Sequence, residues 1–188
     1  MNTPAHLLIG GALGGRQRPG LVGVAMLGSL LPDLSLYVLA GVSLFVLNIP
    51  PQVVFNELYF SDAWQTVFAV DNSVFVWLAV AIVAYWLRSD WLRALSIGAL
   101  LHIALDFPLH HDDGRPHFWP LSDWVFESPF SYWDRAQGAA WIAPIEAALC
   151  LCAAAWLWRI KGWVRWVVIP LTLAEIWIVR QWLFIFDQ

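Results

Sequence analysis

The sequence predicts an all-α, polytopic membrane bundle of about five transmembrane helices, preceded by a short N-terminal partial helix. Hydrophobic residues make up 60% of the 188 residues and charged residues only 13%, whereas soluble domains carry about a quarter charged residues. The chain also contains 14 Trp, a side chain that favours the interfaces of a bilayer. We therefore expect residues 1–188 to form a single integral membrane domain, with no separate soluble catalytic module.

Five apolar runs are long enough to cross a bilayer, which takes about 20 mostly apolar residues. They place the predicted spans at residues 21–49, 66–87, 91–109, 139–158 and 163–186. The fifth run qualifies although it contains Glu175 and Arg180. The stretch Pro4–Gly15 is apolar but too short to cross, so it is predicted to form a partial helix that enters the membrane and turns at Gly14–Arg16.

Basic residues predict the orientation of the bundle. With five crossings, most of them fall on one side: Arg16, Arg18, Arg88, Arg93, Arg159, Lys161 and Arg165. The other side carries Arg115 and Arg135 together with many acidic residues. Because cytoplasmic loops are enriched in Lys and Arg, the first group is predicted to be cytoplasmic. The loop 110–138 and the C-terminus then face outward across a bacterial inner membrane.

Ionisable residues inside a bilayer are costly, and they usually face the bundle interior or mark a functional site. Counted from the cytoplasmic boundary at about 1.5 Å per helical residue, they lie ~15–25 Å deep in every predicted segment. The set comprises His6, Asp33, Asp71, His102, Asp106, Glu146, Glu175 and Arg180. This shared depth predicts one site just outward of the membrane middle. Glu146, Glu175 and Arg180 also fit a structural charge cluster.

His102 and Asp106 lie four residues apart on one predicted helix, so their side chains share a face. Both residues of such a pair can bind one metal ion, or one can bind the ion while the other hydrogen-bonds to that ligand. The alternative is that the two residues only pack together through a hydrogen bond. Asp33 follows Pro32, which is expected to kink its helix. Imidazole and carboxylate ligands together favour zinc, manganese or iron over calcium or magnesium. The sequence therefore predicts a divalent transition metal, with zinc first.

The segment after Asp106 carries the remaining histidines of the chain and adds candidates for catalysis and substrate binding. A carboxylate is the predicted general base and a loop histidine the predicted general acid. A cationic side chain would bind an anion, and an aromatic run would form an interfacial belt or a surface for a lipid headgroup. The catalytic candidates are Asp71, His110, His111 and Asp112, and the substrate-binding candidates are Arg115, His117 and Trp119. A solvated loop is the alternative for its histidines.

Three elements of the sequence, taken together, resemble a known family. They are His6 in an apolar N-terminus, the segment G-S-L-L-P-D-L with Asp33, and the segment L-L-H-I-A-L-D-F-P with His102 and Asp106. The chain resembles the YdjM-like inner-membrane proteins, a family of metal-dependent hydrolases, over roughly residues 3–120. The resemblance implies that these four residues are metal ligands or their close partners. The H-x-x-x-D pair is also similar to that of zinc-dependent phospholipase C and related fungal nucleases, an analogy for phosphoester chemistry.

The chain departs from the family pattern at two places. Ser35 stands where the pattern P-D-x-D has its second acidic residue. The region Ala69–Ser73 lacks the H-R-x-x-T-H-S element, although Asp71 could replace one of the missing ligands. A single metal ion, or a specialised subfamily, therefore fits the sequence better than a multinuclear site.

These observations predict a membrane-embedded metal-dependent hydrolase of the phosphoesterase type. Its predicted substrate is a lipid or another amphiphilic phosphoester, and its predicted partners are the membrane lipids. A net charge of −4 without a cluster of Lys and Arg argues against a nucleic-acid partner. Two alternatives come from other classes: a proton- or metal-conducting transporter component, and a non-catalytic membrane scaffold with a structural metal. The absence of a visible inverted repeat and the few polar residues in the cytoplasmic half disfavour transport.

Overall fold

A computed structural model describes residues 1–16 and 18–183, and this part of the chain is helical with no β-strand. The prediction of an all-α bundle is therefore confirmed, and the predicted partial helix corresponds to α1. The helices are α1 (Thr3–Gly14), α2 (Val22–Gly41), α3 (Pro51–Val53), α4 (Asp62–Asp71), α5 (Val74–Trp86), α6 (Asp90–Asp106), α7 (Ala139–Leu157) and α8 (Trp163–Leu183). Short π-helical turns continue α2 over Val42–Val46 and α3 over Val54–Leu58.

Three helical stretches of the described chain are long and apolar enough to cross a membrane: Pro19–Val46, Asp62–Trp86 and Ala139–Leu157. They correspond to the first, second and fourth predicted spans. The 17-residue helix α6 and the charged helix α8 are not among them, so the count of five crossings stays a prediction. Residues 184–186 of the fifth predicted span lie outside the described residues.

The second apolar stretch is two helices and not one. Helix α4 ends at Asp71, and α5 begins at Val74 after a turn through Asn72 and Ser73. The Ser73 hydroxyl accepts a hydrogen bond from the Val76 amide, which is how a serine caps a helix N-terminus. Ser73 also donates to the carbonyl of Trp119 at 2.5 Å. The turn thereby ties the middle of this stretch to the loop that follows α6.

Helix α1 lies inside the bundle. It packs against α2, α6, α7 and α8, and most of its side chains are buried, including His6 with 1% of its surface exposed. Its apolar residues form one core cluster with α7 and α8, which includes Leu8, Leu157 and Val164. The helices packed around this part of α1 keep the polar side chain of His6 away from lipid. Its position in the bundle centre is what brings His6 to the functional site.

Helices α2 and α6 approach each other closely through glycine. A Cβ atom added to Gly98 would lie 2.2 Å from the Ala25 carbonyl oxygen, and one added to Gly28 would lie 2.0 Å from that of Leu95. Between these points, the Ser29 hydroxyl donates to the Gly98 carbonyl at 3.1 Å. Small residues at a helix interface allow this backbone contact in a membrane. The contact fixes α2, which carries Asp33, against α6, which carries His102 and Asp106.

Replacing Gly98 with valine is expected to destabilise the bundle by roughly 1–3 kcal/mol, as overpacking of a tight interface typically does. The new side chain would have to displace backbone and not a flexible side chain. Thermal unfolding in detergent measures the effect. Gly41→Val is the matched control, because a Cβ atom there meets nothing within 4 Å. Equal melting temperatures for the two variants would contradict the close packing of α2 on α6.

Candidate metal centre and its cavity

His102 is held in one orientation by the backbone of α2. Its Nδ1 atom lies 2.8 Å from the Ser29 carbonyl oxygen, and its side chain is 1% exposed. Because a carbonyl can only accept, Nδ1 carries the proton of this hydrogen bond. In the neutral ring, Nε2 then presents a lone pair to two carboxylates, Asp106 at 3.3 Å and Asp33 at 3.8 Å. These atoms are close enough together to bind a cation between them.

His6 reaches the same carboxylate from α1. Its Nε2 atom lies 2.9 Å from Asp106 Oδ1, and its ring stacks on that of His102 with centroids 3.8 Å apart. His6 Nδ1 has no hydrogen-bond partner among the described residues, whereas the Nε2 atoms of His6 and His102 both face carboxylate oxygens of Asp106. Buried polar atoms are nearly always paired. A buried imidazole nitrogen that faces a carboxylate can share a proton with it or bind a metal ion beside it.

The ligand atoms of His6, His102 and Asp106 all lie within 4.8 Å of one another, and all three side chains are buried. This group could hold a metal ion. Two imidazole nitrogens with carboxylate oxygen form a donor set that suits zinc and similar transition metals. The Ser29 carbonyl on His102 Nδ1 is the outer-shell contact that metal-binding histidines commonly make. Asp33 stands next to the group as a fourth candidate ligand.

His110 lies on the outer side of Asp106. Its Nε2 atom is 3.3 Å from Asp106 Oδ2, and its Nδ1 atom is 2.9 Å from Asp113 Oδ1. Burial lowers the pKa of His110, but the two carboxylates outweigh burial and raise its pKa to about 9. Burial conversely raises the pKa of Asp113, and its contact with His110 outweighs that and lowers it. Both ring nitrogens of His110 are thus oriented by acidic groups.

A cavity of about 570 Å³ opens above this group. Polar residues of the metal group and its neighbours lie on its wall, among them Asp33, Asp106, His110, Asp112 and Asp113. The remaining wall is largely aromatic, from three parts of the chain: Tyr37 on α2, Phe55, Tyr59 and Phe60 around α3, and Tyr132 and Trp133 in the loop. The cavity therefore joins a polar inner end to an apolar, aromatic surround.

Arg115 is the one arginine or lysine among the described residues that line this cavity. It is only 6% exposed, and its guanidinium lies over the rings of Phe68 at 4.1 Å and Tyr59 at 4.7 Å. Its Nη1 atom has no hydrogen-bond partner in the described chain. A buried, incompletely paired guanidinium is costly, and it is well suited to an incoming anion.

Two of the loop histidines lie away from the metal group. His111 Nδ1 is 2.7 Å from the Ser128 carbonyl and its Nε2 is 3.5 Å from Glu127. His117 is buried, and its Nδ1 is 3.0 Å from the Asn72 carbonyl. Burial lowers the pKa of His117, which favours its neutral form. Both residues hold the loop to itself or to the bundle, so their predicted roles in catalysis and substrate binding find no support in the geometry.

Asp71 and Trp119 are also absent from the described lining of the cavity. Asp71 accepts a hydrogen bond from Asn72 Nδ2 at 3.0 Å, and the Trp119 carbonyl accepts from Ser73. Asp112 does line the cavity and is exposed. The structure therefore brings the four predicted ligands (His6, Asp33, His102 and Asp106) together with three further candidates, His110, Asp112 and Arg115. It does not bring Asp71, His111, His117 and Trp119 to the same place.

Sequence reasoning missed several residues of the site. Tyr37 donates a hydrogen bond to Asp33 Oδ2 at 3.4 Å, and its spacing of four residues from Asp33 on α2 was the available signal. Asp113 positions His110, and Trp133 Nε1 in turn donates to Asp113 at 3.2 Å. Ser29 acts through its backbone carbonyl, which no side-chain pattern could have indicated.

Comparison of the chain with protein-family models, with curated proteins and with solved structures gave no match.

Proposed function

We propose that this protein is a membrane-embedded, metal-dependent hydrolase that cleaves a phosphoester of a lipid or amphiphilic substrate. One observation carries the proposal: Asp106, which belongs to the buried group with His6 and His102, lines a cavity that also contains an incompletely paired arginine. A cation site and an anion site facing one space are what phosphoester hydrolysis requires. The resemblance to the YdjM-like proteins supports the same reaction class.

His6, His102 and Asp106, with Asp33, would hold the metal ion, and zinc fits this donor set best. The ion would supply Lewis-acid polarisation of the phosphoryl oxygen and would activate water near neutral pH. Arg115 would bind the phosphoryl group as a charge-assisted hydrogen-bond donor. His110 lies beside Asp106 and lines the cavity, so it is placed to give a proton to the leaving group. Asp112 is the remaining carboxylate candidate for general base.

An amphiphilic substrate is favoured by the surroundings of the cavity. Phe55, Phe60 and Trp133 line it and are also 46%, 53% and 47% exposed. Helix α2 and its π-helical continuation end next to them in exposed apolar residues such as Phe45 and Val46. Aromatic side chains at the edge of apolar spans are typical of the bilayer interface. A substrate with its phosphate inside and its acyl chain in the bilayer would satisfy both surfaces.

The proposal includes a location in a bacterial inner membrane, with five crossings and with the loop 110–138 and the C-terminus outward. The charge distribution of the sequence supports that orientation. The inner end of the cavity would then lie near the level of the outer headgroups, where a lipid phosphoester is within reach.

The test is hydrolysis of phospholipid vesicles by detergent-purified protein, reconstituted with zinc, manganese or iron in separate samples. We expect metal-dependent release of headgroup or phosphate by the wild-type protein. The same liposomes report proton and metal flux. Flux without hydrolysis would overturn the proposal in favour of a transporter component, and bound metal with neither activity would favour a scaffold.

Replacing Asp113 with asparagine is expected to lower turnover about 10- to 100-fold, the usual effect of losing an outer-shell carboxylate. The substitution keeps the shape of the side chain but removes the charge that orients His110. Metal content should be unchanged, because Asp113 lies on the far side of His110 from the metal group. Steady-state kinetics and elemental analysis measure the two quantities. Wild-type turnover in this variant would contradict a role for His110 in the reaction.

A further inference from the structure

Two glutamates buried between α7 and α8 are not explained by the hydrolase site. Glu146 and Glu175 are each 1% exposed, and Glu175 faces Glu146 closely enough for their charges to interact. One oxygen of the four has a hydrogen bond: Glu146 Oε1 accepts from the Asn2 amide at 2.6 Å. Glu146 Oε2 and both carboxyl oxygens of Glu175 have no hydrogen-bond partner among the described residues.

None of Arg180, Arg165 and Arg159, which lie on or beside α7 and α8, is close enough to neutralise this pair. Arg180, which the sequence grouped with these glutamates, is exposed and lies over the ring of Trp177. Arg165 and Arg159 lie about 15 Å and about 20 Å away along α8 and α7, counting 1.5 Å per residue. The charged and titratable groups close enough to act on the pair are Asp106, the amino group of Met1 and Cys150. Asp106 is itself an acid engaged by His6 and by the Met1 amine.

We propose that Glu146 and Glu175 bind a divalent cation at a second site, separate from the histidine group. Two carboxylates deep in a low-dielectric interior are strongly destabilising unless paired. A single divalent ion neutralises both charges and fills the coordination of all three unpaired oxygens. The donors are oxygen atoms, so the site favours calcium, magnesium or manganese over zinc. The side chain of Asn2 lies beside both carboxyl groups.

The residues around the pair place it beside the cavity and at the junction of three helices. Asn2 and Ile178, which lies one turn of α8 beyond Glu175, both line the 570 Å³ cavity, so the pair lies directly behind its wall. An ion here would connect α7 and α8 to the N-terminal end of α1. Because α1 carries His6, the second ion would hold that ligand in place from behind. The site would be structural, and it does not depend on the proposed hydrolase activity.

The test uses the full chain in detergent, stripped of metal, loaded with zinc at the histidine group, and then equilibrated with calcium, magnesium or manganese in separate samples. For the wild-type protein, elemental analysis should find roughly one tightly held ion of the oxygen-preferring type, and its melting temperature should rise with that ion. Glu175→Gln keeps the volume of the side chain and should lose both the ion and the stabilisation. Zinc loading at the histidine group reports that the variant is folded. Glu127→Gln is the control, because that carboxylate is 71% exposed.

A wild-type protein that takes up none of these ions, or a Glu175→Gln variant that keeps the ion, would overturn the second site. In the first case the pair would be neutralised by protons. Loss of zinc from Glu175→Gln with no change in bound calcium, magnesium or manganese would likewise overturn it and assign Glu175 to the histidine group. Each of these results is independent of whether any lipid is hydrolysed.

Discussion

The variant His102→Ala is expected to lose its transition metal and all measurable turnover. His102 supplies one of two imidazoles to the buried group, and its lone pair faces Asp106 and Asp33. Without it, three donors would remain (His6, Asp106 and Asp33), and they would bind the ion more weakly. We expect metal affinity to fall by more than the about 10- to 100-fold that outer-shell changes cause. Mass-spectrometric metal analysis after gel filtration measures the loss.

The chain offers a matched control for this experiment. His111→Ala removes an imidazole nine residues further along the chain, but its ring bonds the Ser128 carbonyl and not the metal group. It should keep its metal and its turnover. A second variant, Asp106→Asn, guards against simple misfolding of His102→Ala because it preserves side-chain volume. Stoichiometric metal in both His102→Ala and Asp106→Asn would contradict the assignment of the centre.

The metal group was largely predictable from the sequence because its members lie on regular helices. The spacing of His102 and Asp106 places them on one face whatever the tertiary structure. The depth of Asp33 along its span predicted the same level of the bundle. His6 was harder, since only the enclosure of α1 by four other helices brings it there.

The rest of the site depends on how loops fold, which local patterns do not encode. The histidines of the loop look equivalent in sequence, yet His110 lies between two carboxylates whereas His111 and His117 bond backbone carbonyls. Those carbonyls belong to Ser128 and Asn72, which no side-chain spacing could have identified. Charge grouping along α7 and α8 was equally misleading, because Arg180 faces outward and Glu175 inward.

Arg115→Met is expected to abolish most activity while leaving the protein as stable as the wild type or more so. The methionine side chain can still pack on Phe68 and Tyr59, where the guanidinium now lies. Folding then no longer requires a buried charge with an unpaired Nη1 atom. Loss of one preorganised donor to the phosphoryl group should lower kcat about 100- to 1000-fold. Kinetics on phospholipid vesicles and thermal unfolding in detergent measure the two effects.

The opposite signs of these two effects are what identify Arg115 as a substrate-binding residue. A purely structural arginine would lower the melting temperature when it is replaced, and activity would fall with it. Arg159→Met, at the other end of the bundle and exposed, should change neither quantity. Full activity in Arg115→Met would remove Arg115 as the anion-binding residue of the proposed mechanism. Lost activity at unchanged or higher stability would show that the chain keeps a destabilising charge in its interior because its substrate is an anion.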